Sequence, residues 1–149
     1  MTSADSFDIF LSDYANVSRY LSTELSALLT TYHLTLDAFL IMHEIGKSQA
    51  PLLLMDIAHR HHVSRSAISR QISALLSYGY VQQQANASDR RQKSLLLTDS
   101  GREIDQQLVA TMRQSANQWA NLLGPQRVTT LLGILEDFND QVVNQATTE

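Results

Sequence analysis

No cysteine occurs among the 149 residues, which excludes disulfides, thiolate metal sites, thiol nucleophiles and direct thiol redox sensing. Five glycines and two prolines are too few for collagen-like or low-complexity segments. A charged fraction of 17% beside 44% hydrophobic residues belongs to a folded chain. No run approaches the roughly 18 apolar residues of a membrane span, and Met1-Thr2-Ser3-Ala4-Asp5 lacks the basic start of a secretory signal, so a cytoplasmic protein without membrane contact is expected. A phosphate-cradling glycine loop, a Gly-x-Ser-x-Gly elbow and paired carboxylates are also missing, which argues against an enzyme. The length suits one ordinary core, and 1–149 reads as a single unit.

Charge is present but uneven. The formal net charge is −4, yet between His59 and Lys93 the residues Arg60, Arg65, Arg70, Arg90, Arg91 and Lys93 oppose Asp89 alone, a surplus of +5 that leaves −9 elsewhere. One module therefore carries an electrostatic footprint suited to a polyanion.

Apolar spacing organises the rest. Phe7, Phe10, Tyr14, Val17, Leu21, Leu25 and Leu28 recur at three and four, one stripe of a long helix. A second helix is expected from Leu36, with Thr35 as N-cap and Leu34 stapled onto Phe39, ending near Gly46. A short third helix holds Ile57 and Ala58. The fourth starts at Ser64, which caps it while Val63 staples onto Ile68, and stops at Gly79. Ile68, Ile72, Leu75 and Leu76 form its buried stripe, leaving Arg65, Ser66, Ser69, Arg70 and Ser73 opposite. Tyr80 to Ala85 and Lys93 to Leu97 have strand length, joined by a polar, arginine-rich connection from Asn86 to Gln92. Thr98 caps a long fifth helix marked by Ile104, Leu108, Met112, Ala116, Trp119 and Leu123. Gly124-Pro125 breaks it, and Val128, Leu131, Leu132, Leu135, Phe138 and Val142 mark a sixth.

The pattern predicts a mainly α (α+β) fold: a winged helix-turn-helix at 35–100 between long helical regions at 1–34 and 101–149. A helix of this size fits the DNA major groove. On it Arg65 and Arg70 are the long readers, Ser66 and Ser69 allow close approach, and the N-terminus at Ser64 suits a phosphate. Arg90, Arg91 and Lys93 belong to the wing, where an arginine gains from the narrow minor groove of A·T-rich DNA. The outer stripes most simply bury one another across a homodimer, which would set two reading helices about 34 to 36 Å apart on a pseudo-palindromic double-stranded operator.

In element order, in Leu97-Thr98-Asp99-Ser100-Gly101-Arg102 and in the Asp89-Arg90-Arg91 wing, the chain resembles the MarR family of bacterial transcriptional regulators. The resemblance implies a ligand-responsive repressor and makes Asp89 a buttress for Arg91. It also implies a small phenolic or other aromatic effector in a cleft of the first, second and fifth helices, where Arg19, His33, His43 and Met112 are the candidates. Three positions depart from the family pattern: His62 where Gly is usual and φ is often positive, His61 where an aliphatic packs, and Leu53 where Thr or Ser caps the third helix.

Two alternatives share this fold. His59, His61 and His62, with His43 or His33, invite a zinc-responsive regulator, although Asp56 and Glu44 are not at ligand spacing and no metal or other cofactor is assigned. His59, His61 and His62 can instead approach phosphates. A winged helix that binds protein is the other alternative, suited by the −9 outside the basic module.

Overall fold

The computed structural model describes residues 3–60, 64–85 and 93–146. Helix α1 (Ser3–Thr30) leads through a turn, with His33 at φ 58°, into α2 (Leu36–Lys47). Thr35 is extended, and its Oγ1 accepts the Ala38 N–H at 3.1 Å, satisfying one of the donors that a helix start leaves open. The chain then forms β1 (Leu52–Leu53), α3 (Leu54–Arg60), α4 (Arg65–Ser77), β2 (Val81–Ala85) and β3 (Lys93–Leu97). Ser64 caps α4 through the Ala67 N–H, and Thr98 caps α5 (Asp99–Leu123) through the Gly101 N–H. Helix α6 (Pro125–Phe138) continues through a π-helical turn, Asn139–Val143, into a last helical turn, α7 (Asn144–Ala146). The architecture is a mainly helical winged helix with long helices at both ends.

Strand β1 is the element that the sequence pattern does not announce. It lies beside β3 in an antiparallel sheet of order β1-β3-β2, with Leu52 opposite Leu95 and Leu53 opposite Ser94. Two residues cannot show the alternation that marks a strand; only their partner makes them one. This pairing also accounts for Leu53 at the expected capping position: it is held in the sheet, and α3 begins at the next residue. The positive φ expected at His62 and the Val63 staple lie outside the described residues.

One core joins the middle of the chain. Leu29 of α1, Ile41 and Met42 of α2, Ile57 of α3, Ile68 and Leu75 of α4, Leu95 of β3 and Leu108 of α5 are all at most 2% exposed. The expected α4 stripe is the buried one, with Leu76 at its half-buried margin. Gly79, at φ 73°, ends that helix and turns the chain into β2. There Thr98 donates through Oγ1 to the Gly79 carbonyl at 2.6 Å, and Tyr80 donates through its hydroxyl to the Tyr32 carbonyl at 3.1 Å. Burial, and then the neighbouring Tyr78 and Tyr32, push the Tyr80 hydroxyl above the usual tyrosine range.

The long stripes divide along their length. Leu21, Leu25 and Leu28 are half-buried, but Phe7, Phe10, Tyr14 and Val17 on the same α1 stripe are 56% to 62% exposed. Leu131, Leu132, Leu135 and Phe138 of α6 are about as exposed. Among the described residues these apolar faces belong to no core.

Candidate nucleic-acid interface

Helix α4 rests on the core through Ile68, Ile72 and Leu75, so its opposite face is turned outward by the helical period alone. Ser64, Arg65, Ser66, Arg70 and Ser73 are exposed there and Ser69 is half-buried. Two contacts hold the helix: Ser64 Oγ shares a hydrogen bond with Ser66 Oγ at 3.0 Å at its start, and Thr35 Oγ1 donates to Gln71 Oε1 at 3.0 Å at its middle. The second ties α4 to the cap of α2.

The hairpin completes the surface. β2 and β3 pair in register from Val81 with Leu97 to Ala85 with Lys93. Lys93 is an exposed residue at the end of the hairpin where the 86–92 connection joins the strands. A cleft of about 270 Å³ brings together Arg65 of α4, Gln83 of β2, Lys93 of β3 and Met55 of α3. Two cations and an amide from three elements thus face one hollow, an arrangement able to hold a phosphate and present donors to groups beside it. Gln83 was not singled out from the sequence, where three successive glutamines carry no signal of which one faces the cleft; the strand register decides it. Among the described residues Arg65, Arg70 and Lys93 form no ion pair, whereas Arg60 of the same basic segment is held by Glu44 at 2.8 Å. The wing residues Asp89, Arg90 and Arg91 fall in the 86–92 connection, outside the described residues.

The four effector candidates do not converge on one site. Arg19 donates to Asn16 Oδ1 on its own helix at 2.7 Å. His33 stacks on Tyr78 with ring centroids 5.4 Å apart. His43 stacks on Phe39 at 5.8 Å and hydrogen-bonds through Nδ1 with Asp105 Oδ1 at 2.9 Å, which joins α2 to α5. Met112 alone lines a larger hollow between α1 and α5. Among the described residues no three His, Asp or Glu side chains are grouped as metal ligands; His59 is exposed on α3, and His61 and His62 lie outside those residues. No helix among the described residues is long and apolar enough to cross a membrane.

Comparison with known proteins agrees with this geometry. Residues 34–101 match the model of a winged helix DNA-binding domain. The HTH-type transcriptional regulator TcaR of Staphylococcus aureus (strain Newman) is 27% identical over 129 residues, which are 85% of this chain and 84% of that protein. AbsC, a MarR family transcriptional regulator from Streptomyces coelicolor, superposes with a TM-score of 0.81 at 23% identity and 97% coverage of both chains. Staphylococcus aureus MarR in complex with salicylate and kanamycin superposes with a TM-score of 0.72 at 21% identity, covering 96% of this chain and 99% of that one. With a match to a winged helix DNA-binding domain at its centre and long terminal helices around it, the chain has the fold of the MarR family regulators with which it superposes.

Proposed function

We propose that the chain acts as a homodimer which occupies a pseudo-palindromic operator and represses transcription until a small ligand shifts it to an arrangement that no longer fits DNA. The observation that carries the DNA-reading part is the cleft shared by Arg65 and Lys93. In this reading Arg65 and Arg70 reach base edges, Ser64, Ser66 and Ser69 contact phosphates or bases at close range, and Lys93 neutralises a phosphate. Arg90 and Arg91, with Asp89 orienting the latter, extend the contact into the minor groove. The 1–34 and 101–149 regions supply the dimer, supported by the exposed apolar faces of α1 and α6.

Ligand response is supported by the relative solved with salicylate and kanamycin. A ligand releases DNA only through unequal affinity for the DNA-competent and incompetent arrangements. The deciding experiment is fluorescence anisotropy of the purified protein with its own upstream intergenic DNA and with an unrelated duplex of equal length, at two salt concentrations. Selective, salt-sensitive binding at two chains per operator is the expected outcome. Equal binding to both duplexes at one chain per site would overturn the operator and dimer assignments.

A further inference from the structure

We infer that the hollow between α1 and α5 is a binding site for a lipophilic aromatic cation, with Glu24 as its counter-charge. Its regulatory consequence rests on the ligand-responsive reading above; the binding itself does not.

The hollow measures about 500 Å³, inside the range of small-molecule sites. Leu21, Leu25 and Leu28 form one wall, and Met112, Ala116 and Trp119 the other. Methionine adapts its shape to irregular aromatic ligands, and an indole face attracts cations. Trp119 is half-buried and set edge-on to Tyr20, with centroids 6.2 Å apart. The remaining polar contributions, Thr111 and Ser115, are neutral, so Glu24 is the single ionisable side chain in the lining. It forms no hydrogen bond or ion pair with a described residue that would neutralise it.

Charge decides the class of ligand. An aromatic anion seated between these walls would meet a carboxylate and no cation, because Arg19 turns to Asn16 and does not line the hollow. The two helices add a field of the same sign: Asp5, Asp8, Asp13 and Glu24 against Arg19 on α1, and Asp99, Glu103 and Asp105 against Arg102 and Arg113 on α5. The hollow also adjoins the half-buried part of the α1 stripe, apart from the exposed Phe7 to Val17 portion assigned above to the dimer.

The test uses tetraphenylphosphonium and tetraphenylborate, ions of matched shape and opposite charge, with emission from Trp119, the chain's single tryptophan, as the readout. The cation is expected to change the emission saturably and to bind at least tenfold more tightly than the anion. Glu24→Gln should erase most of that preference, and Ala116→Phe, which fills the hollow from an exposed position, should abolish cation binding, with thermal melts confirming that both variants fold. Equal or tighter binding of the borate, an unaltered preference in Glu24→Gln, retained binding in Ala116→Phe, or no response to either ion would each overturn the site. Cation binding that leaves operator affinity unchanged would support the site and overturn its regulatory consequence.

Discussion

A methyl group added to Gly101 would lie 1.9 Å from the Tyr80 carbonyl oxygen, so the first turn of α5 can sit against the backbone that leads into β2 only where no Cβ intervenes. Gly101→Ala should cost at least about 1–3 kcal/mol of stability, read as a lower urea midpoint. Tyr80 makes a second residue-scale test. Its hydroxyl donates to the Tyr32 carbonyl, and its raised pKa contributes stability that is complete below the unfolded value of about 10 and is lost as pH rises through the folded value. Tyr80→Phe should cost about 1 kcal/mol near pH 8, and the deficit should shrink above pH 10 in parallel urea titrations. A deficit independent of pH would remove the titration from that account. At this scale the capping residues were legible in the sequence, because Thr35, Ser64 and Thr98 act on N–H groups three residues away. The His43–Asp105 pair was not, since its partners are 62 residues apart and only the packing of α2 against α5 joins them.

At the scale of elements, α4 depends on its cap for stability, and in the proposed reading for its approach to DNA. Ser64→Ala removes the acceptor for the Ala67 N–H and should lower stability by about 0.5–2 kcal/mol, whereas Ser64→Gly should cost only a few tenths. Arg65→Ala is expected to leave the thermal midpoint nearly unchanged, because the side chain is exposed, and to weaken operator binding by about 1–3 kcal/mol with relaxed base preference. Lys93→Ala should weaken operator and unrelated DNA alike, since a phosphate contact carries no sequence information. Full operator affinity in both variants would disconnect the cleft from DNA. The helices α1, α2, α4, α5 and α6 were readable because each is long enough to repeat its apolar period. Strand β1 was hidden because Leu52 and Leu53 extend only by pairing with β3, and the role of Gln83 was hidden because register, not composition, turns it towards Arg65.

Across the whole molecule, the half of the α1 stripe that the core leaves bare is matched by α6, where every apolar residue from Leu131 to Phe138 is exposed. Exposed apolar patches of this extent mark association surfaces, and a two-fold pair buries the same patch on both copies. The period of these stripes was plain in the sequence; which part of each is covered within one chain depends on how far the core extends along the helix. Leu131→Glu combined with Leu135→Glu places two charges one turn apart on that face, at 48% and 51% exposed positions where the core of the single chain should not suffer. Sedimentation should then show a monomer with an intact far-ultraviolet spectrum. Operator affinity should fall towards that of one half-site, and the slope of log affinity against log salt should drop to about half, because the slope counts the phosphates neutralised. A charged variant that remains dimeric would move the interface away from α6, and a monomer with the full salt slope would mean that one chain makes all the phosphate contacts.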